Sequence, residues 1–94
     1  MRKYECIIII NPNVDEAGVK VLEEKVTGLI NENGKIETVE NLGKRKLAYE
    51  IKKHKEGTYV LFTFDAKPDS IDELERVLRI TDGVIKFIVV RKED

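Results

Sequence analysis

Residues 4–10, Tyr4-Glu5-Cys6-Ile7-Ile8-Ile9-Ile10, run directly into Asn11-Pro12-Asn13. Consecutive β-branched residues favour extended backbone, and the Asn-Pro-Asn triplet favours a turn, so the stretch predicts a central strand that stops at residue 10. A helix is predicted next. Val19, Leu22, Val26, Leu29 and Ile30 recur at helical spacing, Asp15 and Glu16 stand in the first turn, and Gly34 is placed to close the end. Gly18 and Gly28 each weaken this helix by about 1 kcal/mol relative to alanine, so packing has to supply most of its stability.

From Lys35 to about Tyr49 the pattern is that of a long strand, but Ile36 and Thr38 lie in the opposite phase from Leu47, Tyr49 and Ile51. A glycine within a strand commonly marks a β-bulge, which places the phase shift at Gly43. His54-Lys55-Glu56-Gly57 reads as a turn, and Thr58 to Phe64 as a strand pairing back in a hairpin. Pro68 suits a helix start, and Ser70 followed by Glu73 matches a capping box. Ile71, Leu74, Val77 and Leu78 form the apolar stripe of this second helix. Asp82-Gly83 ends it, and Val84 to Val90 is a last β-branched strand before the charged tail Arg91-Lys92-Glu93-Asp94.

The order strand, helix, strand, strand, helix, strand defines an α+β chain of the ferredoxin-like split βαβ type (βαββαβ). The expectation is a single domain over residues 1–94, with a four-stranded antiparallel sheet and two helices on one face. Right-handed crossovers put both helices on the same side, leaving the other sheet face bare. Alternation assigns Tyr4, Cys6, Ile8, Ile10, Val60, Phe62, Phe64, Ile85, Phe87 and Val89 to the helix side. The opposite row still holds Ile7, Ile9, Tyr59, Leu61, Ile88 and Val90. Such a patch is a candidate protein-partner surface, since contiguous exposed apolar area usually marks a binding site. Scattered apolar residues tolerated on a sheet surface are the alternative.

Composition narrows the function. Hydrophobic residues make up 41% and charged residues 37%, enough apolar material for a folded chain. One cysteine, Cys6, allows no internal disulfide and no Cys-rich metal site, and no signal-like segment opens the chain; a cytoplasmic location is expected. The apolar run from Ile7 to Ile10 is far short of a membrane span, so no membrane partner is expected. Net charge is −1 but unevenly spread. Between Lys44 and Lys55 six basic residues face one acid, Glu50, a local balance of +5 that leaves the rest of the chain at −6. One side of such a molecule can meet phosphate while the whole does not.

No catalytic constellation emerges. His54, the sole histidine, sits in a lysine-rich turn without a carboxylate or nucleophile at motif spacing. Cys6 falls on the helix-side row, where thiols behave as small hydrophobes. Glu23, Glu24, Asp72, Glu73 and Glu75 fit the solvated faces of amphipathic helices. P-loop, dinucleotide and zinc spacings are missing, so no cofactor, metal or small-molecule substrate is expected. RNA-binding modules on this topology carry stacking aromatics on the third strand, yet here Gly57 stands at a platform position. A lysine-rich hairpin binding the RNA backbone fits better, and a merely solvated hairpin fits the composition equally well. An oligomerising ferredoxin-like domain and a small hydrolase on the same topology are further readings.

Several segments together give a sharper answer: Arg2-Lys3-Tyr4-Glu5, Ile10-Asn11-Pro12-Asn13, Leu42-Gly43-Lys44-Arg45-Lys46-Leu47-Ala48-Tyr49, Lys55-Glu56-Gly57-Thr58-Tyr59 and Leu78-Arg79-Ile80. With these the chain resembles, over essentially its full length, the family of the sixth protein of the bacterial small ribosomal subunit. The resemblance implies a structural component, with no catalytic residue. It would bind small-subunit ribosomal RNA in the central, platform region together with the small-subunit protein numbered eighteen. Lys44, Arg45 and Lys46 then become the leading rRNA-contact candidates, followed by Arg2, Lys3, Lys86 and Arg91. Glu50 stands where family members often carry proline after Leu-Ala-Tyr.

Overall fold

A computed structural model of the protein describes residues 1–92; Glu93 and Asp94 of the charged tail lie outside the described residues. The elements are β1 (Arg2–Ile10), α1 (Glu16–Asn33), β2 (Gly34–Ile51), β3 (His54–Ala66), a single 3₁₀ turn (Pro68–Ser70), α2 (Ile71–Arg79) and β4 (Val84–Arg91). They form a four-stranded antiparallel sheet in the order β2-β3-β1-β4. This is the ferredoxin-like arrangement expected from the element order.

Local chemistry explains most boundaries. Asn11 Oδ1 accepts a hydrogen bond from the Asn13 N–H at 2.9 Å, closing the turn after β1. Asp15 caps α1 by accepting from the Gly18 N–H at 2.8 Å, which satisfies one of the free donors of the first turn. At the other end of α1 the structure departs from expectation. Gly34 is not a left-handed cap; its extended backbone (φ −167°, ψ −159°) makes it the first residue of β2. Ser70 also differs, because its hydroxyl donates to the Lys67 carbonyl at 2.8 Å and caps no helical N–H. Glu73 pairs with Arg76 instead of reaching back to Ser70. A 3₁₀ turn beginning at Pro68 has taken the place of the capping box.

The core lies between the helices and one face of the sheet. Tyr4, Cys6, Ile8 and Ile10 of β1 and Val60, Phe62 and Phe64 of β3 point into it, as alternation required. Val19, Leu22, Val26 and Ile30 of α1 and Leu74 and Leu78 of α2 close it from above. Phe87 and Val89 pack against it from β4, but Ile85 does not belong to the core. A β-bulge at the start of β4 sets Ile10 opposite Val84 and Ile9 opposite Lys86, so Val84 takes the inward place. Ile85 then falls on the same outer side as Ile9.

The glycines of α1 separate cleanly. A Cβ on Gly18 would lie 2.7 Å from Val14 Cγ1, whereas nothing stands within 4 Å of one on exposed Gly28. Gly28→Ala is therefore expected to stabilise the protein by about 1 kcal/mol through helix propensity alone. Urea unfolding would read this as a higher midpoint, and a lower midpoint would contradict the open surroundings of the site.

Candidate docking surface and basic arm

The outer sheet face is built by the rows that alternation leaves over. Register places Ile7 opposite Leu61 and Ile88, and Ile9 opposite Tyr59 and Lys86. The six apolar candidates thus lie on three adjacent strands. No helix among the described residues covers them, and their exposure is graded. Ile88 and Val90 are 45% and 47% exposed, Ile7, Tyr59 and Leu61 are half-buried, and Ile9 is only 5% exposed. Ile85 joins this face although it is itself buried, and alternation from Lys86 assigns it to the other side because the bulge between them is invisible in the sequence. Beyond the apolar zone the same face turns polar. Lys3 Nζ meets Glu37 Oε1 at 3.0 Å, and this ammonium holds the Glu37 carboxyl below the usual carboxylate range. Lys92 Nζ lies 3.8 Å from Glu5 Oε2.

Gly57 sits where the third strand faces this patch. A Cβ there would lie 2.5 Å from Ile9 Cγ2 and 3.0 Å from the Ile10 carbonyl oxygen. An aromatic platform residue has no room at that position. Close approach of strands explains the glycine, and the sheet does not stack bases there.

β2 and β3 extend past the end of β1 as a two-stranded arm. The phase shift expected at Gly43 is present: register slips between Asn41 and Gly43, and Gly43 has φ +83°. Two more slips flank it, between Ile36 and Thr38 and between Lys46 and Ile51. The last leaves residues 47–50 without regular partners and moves the turn. It falls at Ile51-Lys52-Lys53-His54, not at His54–Gly57, with Ile51 opposite His54. Lys52 (φ 48°) and Lys53 (φ 69°) both adopt the left-handed region that a tight hairpin demands. Lysines there conceal the turn, since asparagine and glycine are its usual markers.

The arm is tied back to the sheet. Lys86 Nζ donates to Tyr49 Oη at 2.5 Å while lying 5.0 Å from the ring centre. An ammonium twice as far from the ring centre as from the oxygen sits beyond the hydroxyl, so the contact is a hydrogen bond more than a cation–π stack.

The basic candidates do not converge on one point. Lys44, Arg45 and Lys46 are exposed at the root of the arm, opposite Thr58, Gly57 and Glu56. Arg2 lies opposite Ala66, which at the rise of a strand is about 30 Å from Arg45. Lys3 is at that far end with Glu37, and Arg91, exposed, pairs with Tyr4 beside it. Lys86 alone joins the arm, through Tyr49.

The remaining chemical candidates are quiet. Burial pushes the Cys6 thiol up to about 12, with Glu75 adding to the effect, so little thiolate forms near neutrality. A cavity beneath the helices, lined by Leu29, Phe64, Leu74 and Val77 among others, holds about 20 Å³, room for one water. Among the described residues no group of three or more His, Cys, Asp or Glu could hold a metal ion, and no helix is long and apolar enough to cross a membrane.

Fold and surface together define a ferredoxin-like domain, with an apolar sheet face on one side and a basic hairpin arm beside it. The family model described as Ribosomal protein S6 matches residues 3–91. Small ribosomal subunit protein bS6 of Clostridium perfringens strain SM101 is 52% identical over 94 residues, covering 99% of both chains. The crystal structure of 30S ribosomal protein S6 from Thermotoga maritima superimposes with a TM-score of 0.92 at 42% identity, covering 97% of this chain and 87% of that one. The C-terminal domain of the MgtC protein from Mycobacterium tuberculosis shares the fold alone, with a TM-score of 0.59 at 14% identity over 99% of this chain and 89% of that one. The chain belongs to the ribosomal protein S6 family. It is accordingly a structural, non-enzymatic protein of the small ribosomal subunit.

Proposed function

We propose that residues 1–94 act as a single domain that binds small-subunit ribosomal RNA in the central, platform region, together with the small-subunit protein numbered eighteen, in the cytoplasm. The observation that carries this reading is the juxtaposition of an uncovered apolar sheet face with a lysine-rich arm hydrogen-bonded to its rim. Apolar surface suits a protein partner, because its burial releases ordered water. Lysine and arginine on an exposed hairpin suit phosphate, because each contact releases counterions. A handful of phosphate contacts gives weak binding at physiological salt. Linking them to a protein contact makes the second event effectively intramolecular, so the two ligands assist each other without a new contact.

The test measures binding of a central-domain rRNA fragment with and without purified protein eighteen, for the wild type and for the combined Lys44→Ala, Arg45→Ala, Lys46→Ala variant. Protein eighteen is expected to raise RNA affinity. The triple variant is expected to lose about tenfold or more and to lower the slope of log affinity against log salt by about 2 to 3. RNA affinity indifferent to both the partner and the substitutions would end the proposal.

A further inference from the structure

The triplet Lys44-Arg45-Lys46 looks uniform in sequence, but the sheet divides it. The bulge at Gly43 resets the register so that Arg45 stands opposite Gly57, while Lys44 stands opposite Thr58 and Lys46 opposite Glu56. Gly57 is on the outer face, since a Cβ there would strike Ile9 Cγ2 and come within 3.7 Å of Ile85 Cδ1. Residues directly opposite in an antiparallel pair share a face, so Arg45 also projects on the outer, apolar side. Lys44 projects on the helix side, where it lines a groove with Asn13, Glu16, Lys20 and Asn41. Lys46, two residues further, shares that side by alternation.

Arg45 is thus grouped with different neighbours from the two lysines. Gly57, opposite it, carries no side chain and is packed against Ile9, and Ile85 and Tyr59 lie close by in the same face. The Arg45 Nε–H reaches the Leu42 carbonyl at 3.4 Å, a long contact that leaves most of the guanidinium available. Lys86 and Tyr49 form the rest of this rim. Arginine on the border of an apolar patch is a common centre of binding energy at protein interfaces, where its flat guanidinium both stacks and hydrogen-bonds.

We infer that the arm is double-sided: Arg45 belongs to the protein-docking face, where it meets a carboxylate or backbone carbonyl of the partner, and Lys44 and Lys46 alone of the triplet meet RNA phosphate. The inference rests on the function proposed above and deepens it by assigning each cation to one ligand. The bulge at Gly43 is what makes the assignment, since without the extra residue the three would exchange faces.

Two variants separate the roles: Arg45→Ala, and Lys44→Ala combined with Lys46→Ala. Each is titrated with protein eighteen in the absence of RNA, and with the rRNA fragment at several salt concentrations under saturating protein eighteen. Arg45→Ala is expected to weaken protein binding about tenfold and to leave the salt slope of RNA binding unchanged. The double lysine variant is expected to lower that slope by about 2 and to leave protein binding unchanged. A fall of about 1 in the slope for Arg45→Ala, with protein binding intact, would place Arg45 on RNA and overturn the inference while the proposed function stands. Failure of the wild type to bind either ligand would overturn both. Circular dichroism of each variant guards against misfolding, and Arg45→Lys extends the comparison: it keeps a phosphate contact but loses the planar fork.

Discussion

Phe62→Ala is expected to lower the unfolding free energy by about 3–5 kcal/mol, the largest single effect anticipated for this molecule. Phe62 lies on β3, an inner strand, and is fully buried. Its neighbours across the sheet are Cys6 of β1 and Val39 of β2, and it shares the core with Val26 and Leu78. Strands paired on both sides cannot close in to refill the space, so the loss of transfer free energy adds to the cost of a cavity. For a chain of 94 residues with a total stability of roughly 5–15 kcal/mol, much of the margin would go. Thermal unfolding is expected more than about 10 °C lower, and in urea the midpoint should fall with little change of slope. A cost below about 1.5 kcal/mol would mean that the ring is less tightly held than its burial indicates.

The core row containing Phe62 was readable from sequence because β1 and β3 keep strict alternation from end to end. Register between them is unbroken from Arg2 opposite Ala66 to Ile10 opposite Thr58. Period two then converts position directly into face. β4 failed the same reading at Ile85. Its polar marker, Lys86, faces outward and by strict alternation puts Ile85 inward, but the bulge that flips the phase between them is set by pairing with β1, a tertiary event. The bulge at Gly43 was legible for the opposite reason, because flanking phases disagree and a glycine stands between them.

The hairpin turn was misplaced by a related difficulty. Lys52 and Lys53 occupy left-handed conformations without the residue types that announce them, so the nearest glycine, Gly57, attracted the turn to itself. Gly57 serves another purpose, admitting Ile9 and the end of β1 against β3. Of the candidate surface, the apolar row follows from alternation along each strand and the basic cluster from composition, so each could be found in the sequence. Their relation could not. It depends on how far the arm extends past β1 and on the Lys86–Tyr49 hydrogen bond, which joins residues 37 apart in the chain.

Gly34→Ala is expected to cost about 3 kcal/mol, at the upper end of what an added methyl usually costs in a packed site. The backbone of Gly34 is extended and open to any residue, so conformational freedom is not what the position requires. Space is the requirement. Asn33 ends α1 and Gly34 begins β2 with no loop between them, and the chain turns directly beneath β3. A Cβ on Gly34 would overlap the Asp65 carbonyl oxygen and lie 3.0 Å and 3.1 Å from Ala66 Cβ and Cα. None of these atoms is the free end of a flexible side chain. Relief has to come from parting β2 and β3 at their Gly34–Ala66 pair or from unwinding the last turn of α1. The second route also threatens the 3.0 Å hydrogen bond by which Asn31 Oδ1 holds the Ile36 N–H. Reduced freedom of the unfolded chain would return at most about 1 kcal/mol, so the net sign is destabilising. Urea unfolding of Gly34→Ala beside Gly28→Ala should therefore move the midpoint in opposite directions for the same chemical change. Equal shifts would show that helix and strand propensity, and not the approach of β3, decide both positions. The damaged pair lies at the opposite end of β2 from the basic arm. Under conditions where Gly34→Ala remains folded, its RNA affinity is expected to match the wild type, which separates the role of this glycine in folding from the role of the arm in binding.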